Sequence, residues 1–218
     1  MANNIASYNP RRANVRVNNL AYASGVNING ECRVELGAPV AAATSGIMSA
    51  VSINAAVTKG GTVVSTWRPS MMGPYGRNVT VALSGAGTPT VTVRGRDYLG
   101  QPTSENIVAA GATGVAGKKA FKYIDSISTT AVAGTTLNLG YGNLFGVPYA
   151  LTKVTDEFMD DTAPTAGTFT LNTATQTATS ADPRGSYVPN TVPDGVHTYT
   201  FIGFCLTNQL HGVAQFYN

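Results

Sequence analysis

The segment RNVTVALSGAGTPTVTVRGRDYLGQPTSEN, residues 77–106, decides the fold class of this chain. Its two valine-rich runs, 79–83 and 90–94, place a valine or leucine at every second position. Because successive side chains of a β-strand point to opposite faces, this period of two predicts two half-buried strands and no helix.

A turn is predicted directly after the second run. Asp97-Tyr98-Leu99-Gly100 has Asp at the first and Gly at the fourth position of a type I turn, so the flanking segments should form a hairpin. A four-residue loop would place Arg94 opposite Thr103 and diagonal to Glu105. We expect Gly100 to adopt a left-handed backbone conformation, which glycine tolerates and β-branched residues do not.

The same alternation recurs along the chain and predicts an all-β protein. Pro193-Asp194-Gly195 predicts a further turn before the apolar run 199–206, which should be a central strand buried on both faces or a strand bulged at Gly203. Only residues 46–57 and 156–161 have a weak helical pattern. We therefore expect an antiparallel β-sandwich, jelly-roll or Ig-like, with very little helix.

Composition is consistent with such a fold. Charged residues make up 11% of the 218 residues, and there are 24 glycines. Disordered chains carry more charge, and long helical proteins are rich in Glu, Lys, Leu and Arg. A chain of this length can bury roughly 70% of its unfolded surface, so it can form a core without disulfides.

The domain organisation follows from where apolar residues are sparse. The polar, Asn-rich stretch before Leu36 predicts an extended N-terminal arm over residues 1–35, with a β-sandwich domain over 36–218. Residues 151–218 could instead form a distinct insertion or subdomain. Within them, the Thr/Ala-rich stretch 162–180 predicts a hairpin of Thr-rich strands, or else a loop.

Cysteine usage and targeting signals indicate synthesis in the cytoplasm. Cys32 and Cys205 lie far apart in sequence, and we interpret them as free and buried. We find no signal peptide and no apolar run of eighteen residues, which predicts a soluble protein with no membrane partner.

Charge is divided between the two parts of the chain. Residues 1–150 hold 12 Lys/Arg and 5 Asp/Glu, a balance of +7, and residues 151–218 hold 2 and 6, a balance of −4. Opposite poles favour head-to-tail contacts or docking on a surface of mixed sign, although both could be ordinary solvated faces.

The sequence contains only incomplete matches to nucleotide-binding, metal-binding and catalytic motifs. Residues 112–119 resemble a phosphate-binding loop but lack its first Gly and its final Ser or Thr, so we interpret them as a turn with two surface lysines. Residues 140–146 miss the dinucleotide fingerprint by one residue. His197 and His211 lack zinc-ligand spacing, and no Gly-x-Ser-x-Gly motif occurs.

These failures predict a protein that is not an enzyme and holds no cofactor or metal. One alternative stays open, because an acidic cluster could hold a hard cation or form a solvated patch or interface rim. Its members are Asp156, Glu157, Asp160 and Asp161. The basic residues are scattered and do not interleave with aromatics, so no nucleic-acid partner is expected.

Four runs of the sequence resemble a known group of proteins. They are residues 77–87, 90–106, 119–127 and 137–149, which read RNVTVALSGAG, TVTVRGRDYLGQPTSEN, KAFKYIDSI and LNLGYGNLFGVPY. They are similar to the β-rich accessory virion proteins of tailed bacteriophages over about residues 45–150, and the end of the chain is similar more loosely.

The resemblance is greatest to capsid decoration or cement proteins. It implies a structural virion protein that binds the outer surface of a phage capsid and stabilises the shell. Its partners would be the major capsid protein and further copies of itself, as a dimer or trimer. The alternatives are a tail or head-to-tail joining component, and a receptor- or carbohydrate-binding virion module. For that module Trp67, Tyr75, Tyr98 and Tyr149 are candidate contacts, or else packing residues.

The candidate contact residues are Arg11, Arg12 and Arg16. Guanidinium groups form strong charge-assisted hydrogen bonds with carboxylates. We therefore expect these arginines to pair with acidic groups on the capsid or on a neighbouring subunit.

Overall fold

The structure, a computed structural model, describes residues 29–60, 69–171, 176–206 and 215–217. Strand accounts for 52% of it and helix for 1%, which confirms the all-β, antiparallel sandwich class. A short 3-10 helix spans Pro69–Met72. Within the described ranges, no helix is long and apolar enough to span a membrane.

Thirteen strands are described. They are β1 (Asn29–Gly37), β2 (Ala43–Ser52), β3 (Val57–Gly60), β4 (Arg77–Leu83), β5 (Thr90–Arg96), β6 (Pro102–Val108), β7 (Val115–Ala116), β8 (Tyr123–Thr129), β9 (Thr136–Gly146), β10 (Leu151–Met159), β11 (Thr168–Thr170), β12 (Ser186–Val188) and β13 (Tyr199–Leu206).

The strands form three antiparallel sheets. The three-stranded sheet has the order β1-β13-β10, and the four-stranded sheet has the order β3-β8-β5-β6. The six-stranded sheet has the order β11-β12-β9-β4-β7, with β2 also paired to β9. The long strand β9 therefore has β4 along one edge and both β2 and β12 along the other.

The first core lies between the six-stranded and four-stranded sheets. The alternating residues of β4, Val79 and Val81, are fully buried there, as are Val91 and Val93 of β5. Burying such a side chain stabilises the fold by about 1.5–3 kcal/mol. The period of two in segment 77–106 thus identified the strands that form this core.

The second core lies under the three-stranded sheet. Val34 of β1 and Phe201 of β13 have no exposed surface, and they pack in one cluster with Phe145 and Tyr187. Since Phe145 belongs to β9, the same strand contributes to both cores. A distinct subdomain at 151–218 stays a prediction, but β10, β12 and β13 share this core with β1 and β9.

The Asp97 turn is confirmed, and its register differs from the expected one. The amide of Gly100 donates to the Asp97 carbonyl at 3.1 Å, and Gly100 has φ of 80°. Arg96 pairs with Pro102, so Gln101 also belongs to the loop and Arg94 lies opposite Ser104 instead of Thr103. The reason is that the Asp97 carboxylate accepts the amides of both Leu99 and Gln101, at 2.9 Å each.

Residues 29–35 form a strand, where the sequence predicted an arm. Every residue of β1 from Asn29 to Glu35 pairs with β13, and Cys32 and Val34 are buried in the second core. The rest of the expected arm, residues 1–28, lies outside the described residues.

The interpretation of Cys32 as a free thiol is wrong. Cys32 is buried, as expected, but it is disulfide-bonded. The chain has one other cysteine, Cys205. The two lie two positions apart in the register of neighbouring strands, since Cys205 pairs with Gly30 and Cys32 pairs with Gly203.

Three further expectations have mixed outcomes. β13 is the central strand of its sheet, yet only one of its faces is fully buried. The register shifts fall in its neighbours, β10 and the end of β1, rather than at Gly203. Both weakly helical segments contain strand, in β2 and β10. The Thr-rich stretch forms no hairpin within itself in its described part, because β11 pairs with β12.

Candidate functional site

The outer face of the three-stranded sheet carries the candidate site. We use this name for the side of β1, β13 and β10 that points away from the second core. Along β13, Ile202 and Phe204 are half-buried there, whereas the alternate residue Phe201 has no exposed surface. Register places Arg33 of β1 beside Ile202, and Phe158 of β10 beside Thr200.

These side chains line a shallow groove on the outer face. Its volume is about 230 Å³, and its lining residues are Arg33, Phe158, Asp161, Thr200 and Ile202. Arg33 also pairs with Glu35 at 3.1 Å. The groove thus has an apolar floor and a charged rim, a combination suited to binding a peptide or protein segment.

The rim is acidic where β10 ends. Asp160 and Asp161 follow the last residue of β10 and are exposed, with φ of 49° and 62°. The carboxylate of Asp160 accepts the Thr198 amide at 2.8 Å and the Thr198 hydroxyl at 3.0 Å. These hydrogen bonds lower the pKa of Asp160 below its usual value, so this group stays ionised at neutral pH.

His197 lies between two carboxylates at the acidic end of the sheet. Its Nδ1 lies 2.6 Å from the Asp194 carboxylate and its Nε2 lies 3.8 Å from that of Asp160. The backbone amides of His197 and Val196 lower the pKa of Asp194 to about 2. Both carboxylates therefore remain negative over the physiological range of pH.

The four residues of the predicted acidic cluster do not converge on one point. Glu157 accepts hydrogen bonds from the Gly167 amide and the Tyr187 hydroxyl, each at 2.6 Å, while Asp156, Asp160 and Asp161 are exposed. Among the described residues, no group of three or more His, Cys, Asp or Glu side chains is placed to hold a metal ion.

A second set of charged residues lies inside the protein, which the sequence did not indicate. We call it the polar clasp, and it comprises Asp97, Glu105, Lys119, Asp182 and Arg184, each at most 2% exposed. It joins the β5–β6 hairpin to residues 176–185 and 215–217.

Lys119 holds one of these junctions. Its ammonium group donates to the Ser104 carbonyl at 2.9 Å and to the Thr177 carbonyl at 2.6 Å, and it lies 4.8 Å from the ring centre of Phe216. Burial lowers the pKa of Lys119. The interpretation of 112–119 as a turn with two surface lysines is thus confirmed for Lys118, which is exposed, and wrong for Lys119.

The carboxylate of Glu105 binds the backbone of residues 118–119. It accepts the amides of Lys118, at 2.5 Å, and of Lys119, at 3.3 Å. Burial is the main cause that raises the pKa of Glu105 to about 7. The amides at the end of segment 112–119 therefore bind the side chain of Glu105.

Asp182 and Arg184 complete the clasp. Asp182 accepts the amides of Ala120 at 3.1 Å and of Arg184 at 3.0 Å, and burial raises its pKa. The Arg184 guanidinium donates to the Asp97 carboxylate, whose other oxygen shapes the turn at Gly100.

The structure describes some of the contact residues that were predicted from the sequence, and the others lie outside the described ranges. Arg11, Arg12, Arg16 and Trp67 lie outside the described residues. Tyr98 packs edge-on against Tyr75, with ring centres 5.5 Å apart, and donates its hydroxyl to the Pro148 carbonyl. Tyr75 and Tyr149 pack against the second core. All three tyrosines therefore contribute to packing.

The chain matches no protein-family model, no curated protein and no solved structure.

Proposed function

We propose that this chain is a non-enzymatic virion protein of a tailed phage that binds the outer surface of the capsid and stabilises the shell as a decoration protein. The sequence resemblance supplies the phage context. The observation that supports a docking role is the separation of charge along the chain. Carboxylates collect at the end of β10, while residues 1–28 contain three arginines and no acid.

The use of the buried charges supports binding over catalysis. A general acid or base must reach a substrate proton at hydrogen-bond distance. Glu105 and Lys119, whose pKa values are shifted by burial, contact backbone groups of their own fold. Glu105 fixes the backbone of residues 118–119 to β6, and Lys119 fixes Thr177 to the same strand.

The proposed partners are the major capsid protein and other copies of this chain. Complementary charge orients two surfaces as they approach, and many weak contacts on a symmetric shell add up through multivalency. Arg11, Arg12 and Arg16 would contact acidic groups of the capsid or of a neighbouring copy. The protein would then be found on the surface of the mature particle.

Capsids that lack this protein provide the test. Purified full-length protein is mixed with them, the particles are sedimented at low and high salt, and occupancy is measured. We expect the wild type to bind, and Arg11→Gln/Arg12→Gln to bind less at low salt, because exposed charge pairs weaken as salt rises. The matched control Arg96→Gln/Lys118→Gln removes two exposed basic groups elsewhere and should bind as the wild type does.

Failure of the wild-type protein to bind capsids would overturn the proposal. Localisation of tagged protein to the tail by electron microscopy would then favour a joining component. Binding to glycans in an array would favour the receptor-binding module.

A further inference from the structure

The outer face of the three-stranded sheet carries three large apolar side chains among charged and polar ones. Phe158, Ile202 and Phe204 are all half-buried on it. The Lys153 ammonium lies 5.2 Å from the ring centre of Phe204 and covers part of that ring. A row of large apolar side chains with charges at its rim is typical of a surface that binds a partner.

The exposed charge of this face is negative at the end of β10. Residues 151–161 contain four acids and one lysine, but Glu157 lies on the core side, where it accepts hydrogen bonds from Gly167 and Tyr187. Asp156, Asp160 and Asp161 are exposed, and Asp161 lines the groove itself. A partner that fits this face must combine positive charge with apolar side chains.

Residues 1–28 of the chain have that combination. They contain Arg11, Arg12 and Arg16 and no acid, a balance of +3, which is opposite in sign to the exposed carboxylates at the end of β10. Val15 and Val17 flank Arg16. In an extended peptide, alternate side chains point to opposite sides, so Val15 and Val17 share one side, which can face the apolar floor. The arginines of the same segment can form charge-assisted hydrogen bonds with carboxylates at the rim.

The segment is long enough to reach the groove. It joins β1 at Asn29, which pairs with Leu206, while the acidic end of β10 lies at the other end of the sheet, where Met159 pairs with Tyr199. A strand of this length spans roughly 30 Å. The chain between Arg16 and Asn29 can extend to roughly 45 Å, so the distance is within reach in the same copy or an adjacent one.

We propose that residues 1–28 bind the outer face of the three-stranded sheet, with their arginines against the carboxylates at the end of β10 and their valines over Phe158 and Ile202. The interaction requires no capsid. It uses the same arginines as the proposed capsid contact, and a test without capsids separates its failure from failure of the proposed function.

Limited trypsin digestion of the full-length protein tests this interaction, because trypsin cuts after arginine. Peptides released by cleavage after Arg11, Arg12 and Arg16 are quantified by mass spectrometry at low and high salt. The variant Asp156→Asn/Asp161→Asn removes two rim charges, and asparagine tolerates the positive φ of position 161. The control Asp125→Asn removes an exposed carboxylate from the four-stranded sheet.

We expect cleavage of the double variant to be about three- to tenfold faster than that of the wild type at low salt, the range expected for one or two exposed charge pairs. High salt should accelerate cleavage of the wild type and of the Asp125→Asn control, and leave the double variant nearly unchanged. A wild-type rate that rises on dilution would assign the bound segment to a neighbouring copy, and a constant rate to its own. Equal rates for wild type and double variant at low salt would overturn the proposal.

Discussion

At the scale of single residues, Gly100 is a position where the energetic cost of backbone strain can be measured without a cost from packing. Its φ is 80°, yet an added Cβ would meet no atom within 4 Å. Any cost of Gly100→Val therefore comes from the backbone, and we expect a loss of roughly 1–3 kcal/mol in the free energy of unfolding.

Urea denaturation measures this loss, and the chain offers a matched control. Gly114 also has open space at its Cβ position but has no positive φ. Gly114→Val should therefore cost much less than Gly100→Val. Equal costs at the two positions would contradict the assignment of the strain to the turn.

Glu105 makes stability depend on pH. Its pKa is about 7 in the folded protein against an ordinary value of 4.5. Because the folded state holds the proton more tightly, the contribution of this group is fully present below about pH 4.5 and is lost as pH rises through about 7. Glu105→Gln removes the titration, while the amide oxygen can still accept the backbone hydrogen bonds.

The measurable quantity is the difference in unfolding free energy between wild type and Glu105→Gln. As pH rises from 4.5 to 7, we expect the wild type to lose roughly 1–3 kcal/mol of stability relative to Glu105→Gln. Urea titrations at several pH values give this difference. Parallel stability curves for the two proteins would show that Glu105 titrates normally.

At the scale of elements, the Asp97–Arg184 pair connects the β5–β6 turn to the segment before β12. The two side chains are 1% and 2% exposed, and the guanidinium also lies 5.1 Å from the ring centre of Tyr98. Arg184→Leu would leave the Asp97 carboxylate buried without its cation. Breaking a buried pair from one side costs about 3–5 kcal/mol.

The exposed ion pair between Arg96 of β5 and Asp125 of β8 is the control. Arg96 and Asp125 lie 3.2 Å apart, with side chains 52% and 47% exposed. Arg96→Leu should cost about 0–1 kcal/mol, since water already screens that pair. Thermal denaturation of both variants tests the contrast, and similar melting temperatures would mean that the Asp97 site readily admits water.

The elements that could be predicted from the sequence are those whose pattern lies within the element itself. The alternating valines of β4 and β5 carry their own signal, and so does the Asp97–Gly100 turn. β1 also alternates, with Cys32, Val34 and Leu36 buried and Arg33 and Glu35 exposed. The Asn-rich sequence before it obscured that pattern, and its partner strand β13 lies at the other end of the chain.

The candidate site was less predictable for the same physical reason. The acids of β10 were recognised, but the groove combines Arg33, Phe158 and Ile202, which only the sheet order brings together. The buried position of Lys119 depends on carbonyls at Ser104 and Thr177, which are supplied by distant segments. No local pattern distinguishes such a lysine from a surface one.

At the scale of the whole molecule, the first and last described strands, β1 and β13, are joined in one sheet. β1 and β13 pair along their length, and β9 links the second core to the first. Loss of the β1–β13 pairing would therefore expose one side of the second core. The disulfide at Cys32 lies within this pairing and should oppose that opening.

Reduction of this disulfide should lower stability without changing the folded structure. A crosslink between Cys32 and Cys205 closes a loop of most of the chain, and it restricts the unfolded state far more than the folded one. We expect reductant to lower the unfolding free energy of the wild type by about 2–4 kcal/mol, as measured by urea denaturation. The Cys32→Ala variant should be less stable from the start and should not respond to reductant. Titration of two free thiols in the denatured, unreduced wild type would refute the crosslink, and would return Cys32 to the role of a buried thiol.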